Sequence, residues 1–304
     1  MGLFDHSHEH ADEHDLSSPV KAQAAKRTTL VSVVVNLVLS ALQLVVGWIS
    51  GSQALIADGI HSLSDLVSDF VVLFASHHSK AEPDDDHHYG HYRYENAASL
   101  VIGVLLLAVG VGMLWSAVNK MINPAALVQV GSIALWVALV ALVAKEILFR
   151  YMLAVAQRIR SSMLIANAWH ARSDAASSLV VALGVGGSLL GYPLLDPIAA
   201  LIVGLMVAKM GVGFAWNSLH DLMDRAADIE EIEKIRATIL ATPGIQGLHD
   251  LRTRKTGDLI IVDVHLEICG DITVAEGHQI AVAARTNVMN TLPVLDVMTH
   301  VDPV

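Results

Sequence analysis

Six long apolar runs separated by short polar connectors fill the first two thirds of the chain, and a shorter period takes over in the last third. The runs cover residues 28–50, 53–77, 96–121, 128–151, 164–190 and 197–220. Each is near the ~20 residues that a helix needs to cross a ~30 Å hydrocarbon layer, so the pattern predicts six membrane-spanning helices. Beyond residue 220 the pattern is that of a folded polar domain. Ile229, Ile232, Ile235 and Ile239 recur at near-helical spacing within 228–242, and Pro243-Gly244 stops them. Two strands then flank a turn at Lys255-Thr256-Gly257-Asp258. In the second, Ile260, Val262, Val264, Leu266 and Ile268 alternate with Asp263, His265 and Glu267, which puts His265 on the polar face. A helix over 274–290 and a strand over 296–301 complete an α-β-β-α-β order. The expected architecture is an α-helical membrane protein of six transmembrane helices followed by a small cytoplasmic α+β domain. Its parts are a His-rich tail (1–27), a membrane domain (28–220) and the cytoplasmic domain (221–304).

Composition agrees with this division. Of 304 residues, 54% are hydrophobic and 16% charged, and the mean hydropathy of +0.53 is far above that of a soluble domain. Residues 1–16 are acidic and His-rich without an apolar core, so no cleavable signal peptide is expected. Lys21, Lys26 and Arg27 precede the first span, Lys80 and Arg93 lie between the second and third, and Arg150, Arg158 and Arg160 lie at the connector after the fourth. The positive-inside rule then places both termini in the cytoplasm. A lone Cys269 excludes disulfides and multi-thiolate metal sites. The net charge of −11 argues against nucleic acid and suits a cation.

The second span carries unexpected charge. In "ADGIHSLSDLVSD", Asp58, His61, Asp65 and Asp69 are separated by three, four and four residues and so fall within an arc of about 80° on a helix. Each ionisable group at membrane depth costs at least ~2.5 kcal/mol on insertion scales, so they require partners or water. The fifth span supplies them: "NAWHARSDAASS" sets His170 and Asp174 one turn apart beside small residues that allow close helix approach. Two H-x-x-x-D pairs facing each other give two imidazoles and two carboxylates. That set fits tetrahedral Zn²⁺ and neutralises a dication; the alternative is a purely structural hydrogen-bond network across the bundle. Asp58 is expected at an outer vestibule and Asp69 at the cytoplasmic exit, funnelling cations, with Asn36 and Gln43 as interhelical hydrogen-bond formers. Lys145 and Glu146 are expected near the cytoplasmic end of the fourth span, snorkelling or paired, with no part in transport.

On these residues the chain resembles the cation diffusion facilitator family, in its bacterial zinc-exporter type, over nearly all of residues 26–302. The resemblance implies that His61, Asp65, His170 and Asp174 bind the transported divalent metal. His at position 61, where many members carry Asp, implies zinc preference. It further implies a loop site at Asp84, His87 and His91 in "EPDDDHHYGHYRYE". Read from spacing alone, that segment is either a metal chelate, if helical, or a solvated acidic loop. His249, His265, His278, His300 and Asp302 are implied to hold a two-metal site at a homodimer interface, which adds metal binding and dimerisation to the cytoplasmic domain (221–304), and Asp224 to pair with Arg93. Spacing supports part of this, since His300 and Asp302 point the same way in a strand. The tail "DHSHEHADEHD", with His6, His8, His10 and His14, can buffer metal or be a solvated acidic tail.

Ligands must lose protons to bind metal, and a free imidazole titrates near pH ~6.5, so such a site can exchange Zn²⁺ for protons. The expected function is zinc efflux across the inner (plasma) membrane by metal/proton antiport and alternating access. Zn²⁺ would be both the transported substrate and a regulatory ligand of the cytoplasmic domain. The partners are then divalent metal, protons, the lipid bilayer and a second copy of the chain. Cd²⁺, Co²⁺, Fe²⁺ and Ni²⁺ use the same donors. The rivals are an intramembrane metal-dependent hydrolase, for which only Asp58 offers a spare base, and a metal sensor anchored in the membrane.

Overall fold

The computed structural model describes residues 19–79, 81–123, 129–159, 162–257 and 259–304. The tail histidines His6, His8, His10 and His14 lie outside them. Six long helices come first: α1 (Pro19–Ser50), α2 (Gln53–Ser79), α3 (Arg93–Ile122), α4 (Ile133–Arg158), α5 (Ser162–Leu189) and α6 (Leu195–Leu222). The remainder is α7 (Ile229–Leu240), β1 (Ile245–Thr256), β2 (Leu259–Ile268), α8 (Val274–Thr291) and β3 (Val294–Pro303), the predicted α-β-β-α-β order.

By length and apolar composition α1, α2, α3 and α6 can each cross a membrane. The other two long helices, α4 and α5, span 26 and 28 residues and carry Lys145, Glu146 and Arg150, and Arg172 and Asp174, respectively. The chain is therefore a multi-pass membrane protein. Two boundaries depart most from the sequence expectation: α1, predicted from residue 28, begins at Pro19, and α4, predicted over 128–151, ends later. The predicted start of α4, Val128, lies outside the described residues, and its end is Arg158. Arg150 does not end the helix, because its Nε donates to Glu146 Oε1 one turn back at 2.8 Å and the buried face continues through Met152 and Ala156.

Two compact units divide these elements: Met1–Val67 with Leu106–Lys209, and Ser68–Leu105 with Met210–Val304. In the first, the interior is built from small and β-branched residues, among them Ala134, Ala138, Ala141, Val181, Val185, Val203 and Val207. Small side chains let helices approach closely where the hydrophobic effect cannot drive them together in lipid. Gly110 shows the limit: a Cβ there would stand 2.6 Å from the Ala208 backbone N. Large apolar groups such as Trp48, Trp115, Trp136 and Leu183 face outward, as lipid-facing residues do.

In the second unit, the sheet runs β1-β2-β3, with β1 and β2 antiparallel and β2 and β3 parallel. The alternation read in β2 is real: Ile260, Val262, Val264, Leu266 and Ile268 are buried, with Ile235, Ile239, Ala284 and Val288 from α7 and α8 packed over them. Asp263, His265 and Glu267 take the other face. Both helices start on capping boxes, Asp228 with Glu231 and Thr273 with Glu276, which satisfy amides the first turn leaves open.

Candidate metal centres

In the membrane unit, helical spacing and close packing bring three of the four expected groups together. His61 Nδ1 lies 3.5 Å from Asp65 Oδ2 one turn along α2, and His61 Nε2 lies 3.9 Å from Asp174 Oδ1 on α5. One ligand atom from each of His61, Asp65 and Asp174 falls within 4.8 Å of the others, a spacing that a single cation can bridge. His61 is only 5% exposed, and its Nδ1 makes no hydrogen bond among the described residues. A buried imidazole nitrogen left open beside two carboxylates is an arrangement that coordination completes. His170, one turn before Asp174 on α5, is exposed and outside this cluster.

One neighbour differs from expectation, and another takes one of its two expected forms. Asp58 is fully buried, not at a vestibule, and Lys145, expected to snorkel or pair, is 2% exposed and paired. Lys145 Nζ sits 3.3 and 3.4 Å from the two Asp58 oxygens and donates to Ser62 Oγ at 3.0 Å and Ser178 Oγ at 2.8 Å. Asp58 also accepts from Gln43 Nε2, Ser177 Oγ and Ser178 Oγ. The physical reason is desolvation: two opposite charges at that depth are retained only when paired and fully hydrogen-bonded. The sequence signal was present, a Lys in mid-helix and an Asp three residues before His61, yet neither points to the other. Asp69 is exposed.

The connector after α2 is not helical. Asp84 Oδ1 accepts from the backbone N–H groups of Asp86 (3.0 Å) and His87 (2.6 Å), and Gly90 at φ +78° turns the chain back. This turn, not an i,i+4 helix face, brings His87 against His91, the rings tilted at 45° with centroids 4.5 Å apart. His87 Nδ1 is 3.1 Å from Asp84 Oδ1, and His91 Nε2 is 3.3 Å from Asp84 Oδ2, so the three form a chelate-sized cluster. Although desolvation opposes it, the hydrogen bonds from the His87 backbone and ring hold the Asp84 carboxyl below its ordinary range.

The C-terminal sheet makes a third cluster through register alone. His249 pairs with His265 across β1–β2, and His265 with His300 across β2–β3, so three imidazoles stand in one row. Two residues on, Glu267 pairs with Asp302. Asp302 Oδ2 lies 2.9 Å from His265 Nδ1 and 3.3 Å from His249 Nε2, and its Oδ1 lies 3.3 Å from His300 Nε2. The hydrogen bond from His265 depresses the Asp302 pKa, keeping it a carboxylate. Glu267, which spacing alone did not single out, lies 3.0 Å from His249 Nδ1. The opposite residue Gly247 leaves room for it, since a Cβ there would meet Glu267 Oε2 at 2.2 Å. Asp250, at φ 47° in the β1 bulge, also falls within ligand distance of His249 and His265. His278 does not join them. It is exposed on α8, beside a cavity of about 450 Å³ that Cys269 and Thr299 also line.

The segment joining α6 to α7 is tied down on both sides. Arg93 pairs with Asp224, which adopts φ 62°, and donates to the Leu222 carbonyl. Lys255 N donates to the Arg225 carbonyl at 2.9 Å, and Lys255 Nζ reaches Asp228 at 2.8 Å. That last hydrogen bond lowers the Asp228 pKa and raises that of Lys255.

Comparison with known proteins finds matching family models over both parts. The cation efflux transmembrane domain matches residues 29–223, and the cation efflux protein cytoplasmic domain matches residues 227–304. Metal tolerance protein 2 of Oryza sativa subsp. japonica is 34% identical over 96% of this chain and 82% of its own length. Manganese efflux system protein MneS of Bacillus subtilis is 34% identical over 83% of this chain and 86% of its own. A solved structure of CzrB in its zinc form is 31% identical over 27% of this chain and 93% of that one, with a TM-score of 0.24.

Proposed function

The chain belongs to the cation efflux family, membrane proteins that export divalent metal cations, and from that premise we propose that it exports Zn²⁺ across the plasma membrane in exchange for protons. The observation that carries the reading is the buried meeting of His61, Asp65 and Asp174; His170, exposed and outside that trio, is proposed as the fourth donor because it stands one turn from Asp174. Asp65 and Asp174 neutralise the dication, while His61 and His170 supply the imidazoles that favour zinc among divalent ions. Protons re-entering from outside compete for the same atoms and release the metal, which couples efflux to the proton gradient. Both termini face the cytoplasm. There the row of His249, His265 and His300 with Asp302 binds zinc as a regulatory ligand, and the domain pairs with a second copy. His278 contributes at that interface, and Asp84, His87 and His91 bind cytoplasmic metal before it enters.

A second reading for the ion is manganese. It rests on the oxygen-rich trio of one imidazole and two carboxylates and on the manganese efflux proteins among the relatives. Carboxylates suit Mn²⁺ better than imidazoles do. Vesicles holding the purified chain and a trapped metal-sensitive dye, under an imposed pH gradient, test both. Zinc uptake that manganese in tenfold excess does not suppress supports the first reading; preferential manganese uptake replaces it with the second. Asp174→Ala transporting as well as the wild type would overturn the site. Metal-dependent substrate cleavage without metal movement would favour a hydrolase.

A further inference from the structure

A buried ion pair, Asp58–Lys145, lies outside the trio and touches the trio's own helices. Asp58 stands one turn before His61 on α2, and Lys145 Nζ lies 3.5 Å from the backbone oxygen of Asp174. Ser62, which follows His61, and Ser178, one turn after Asp174, both accept from that ammonium. With Gln43 on α1, four helices meet at a single carboxylate. Every charge here is compensated locally, so Asp58 and Lys145 add no net charge to the neighbourhood of Asp65 and Asp174.

We propose that the Asp58–Lys145 pair sets the affinity of the transport site by holding its surroundings neutral, so that Asp65 and Asp174 alone balance the divalent cation. It also positions α2 against α5. This inference rests on the reading of His61, Asp65 and Asp174 as the transport site. A unit charge within about 10 Å of a dication, at an effective dielectric of ~20, changes binding by more than tenfold. The two charges of the pair act in opposite senses. Removing the ammonium leaves a third carboxylate beside the metal, which binds more tightly and departs more slowly. Removing the carboxylate leaves a cation that repels the metal.

The test is zinc uptake into vesicles by the full chain at a fixed pH gradient. Lys145→Met is expected to lower KM by about tenfold and to lower kcat with it. Asp58→Asn is expected to raise KM several-fold, and the double variant to return KM to within about threefold of the wild type. Ser177→Ala removes a hydrogen bond from the same carboxylate without changing charge and should move KM by less than about threefold. A network that only holds helices together predicts instead that both single variants lose transport in the same sense and that Ser177→Ala follows them; that pattern overturns the proposal. If a charge variant does not fold, a Ser177→Ala shift as large as tenfold suffices to reject it. Loss of transport in Asp174→Ala alongside same-sense effects at Asp58 and Lys145 rejects this inference and leaves the transport site standing.

Discussion

The trio in the membrane and the row on the cytoplasmic sheet use the same donors, imidazole and carboxylate, under opposite physical regimes. His61 is 5% exposed, whereas the side chains of His249, His265 and His300 are 48%, 37% and 66% exposed. In the membrane, each charge needs a partner before the helix can exist at all, and the helix spacing of His61 and Asp65 is useful only because α5 brings Asp174 to it. On the sheet, strand register alone brings these side chains into one row, and water can solvate them. A buried site therefore gains strength from each ligand and from the compensation around it, while an exposed one is graded and forgiving, as exposed ion pairs generally are.

That contrast ranks the substitutions. Asp174→Ala removes one of the two carboxylates proposed to balance the dication and should reduce zinc uptake at least about 100-fold, with the protein still folded by circular dichroism. Uptake within threefold of the wild type would show that burial gives the site no special weight.

Much of this was legible in the chain. The two H-x-x-x-D pairs stand out because intramembrane charge is rare, and the α-β-β-α-β order follows from period switches at residues where Pro243, Gly244 and Gly257 break the pattern. What could not be read were the relations between elements. Nothing in one dimension says that Lys145, 87 residues from Asp58, is its partner. Nor does spacing reveal that Asp84 folds the α2–α3 connector into a turn rather than a helix, because that depends on a side chain capping its own backbone. Glu267 escaped for a related reason. On a polar strand face it looks like any solvated acid until Gly247 opposite is seen to make room for it.

A smaller effect belongs to the sheet. Asp302→Ala takes away the one carboxylate that contacts all three histidines and should weaken zinc binding to the cytoplasmic domain by about 10- to 100-fold. Uptake at saturating zinc should stay within about twofold. The depressed Asp302 pKa fixes the pH behaviour. A carboxylate whose pKa falls on folding adds stability that is complete above its unfolded value near ~3.9 and vanishes as pH drops through the lower folded value. The contribution of Asp302 to folding should therefore be the same at pH 7 and pH 5 and be lost only in stronger acid, and thermal unfolding of the wild type and of Asp302→Asn over that range checks it. A difference between the two proteins that already shrinks between pH 7 and pH 5 would contradict that order.

Smaller again is Arg93→Ala, which breaks an exposed pair with Asp224 beside the segment that joins the two family domains. An exposed pair of this kind contributes about 0–1 kcal/mol, so the midpoint of thermal unfolding should move by no more than about 2–4 °C. Hydrogen exchange should rise in 222–228 and not in the sheet. A larger drop in the midpoint would mean that the pair holds more than its local turn.

The gentlest test probes the graded nature of the exposed row. Gly247 stands beside a register shift in β1 but has no positive φ, so Ala is tolerated by the backbone, and the nearest atoms to a Cβ belong to the Glu267 side chain. That carboxylate can swing aside by rotating about its own bonds, which leaves the fold intact but takes it off His249 Nδ1, 3.0 Å away. Gly247→Ala should therefore unfold like the wild type and bind zinc in the cytoplasmic domain only a few-fold more weakly, because Asp302 still contacts His249 through the other ring nitrogen. A loss as deep as that of Asp302→Ala would make Glu267 a principal ligand, and the exposed row would then share the all-or-none character of the buried trio.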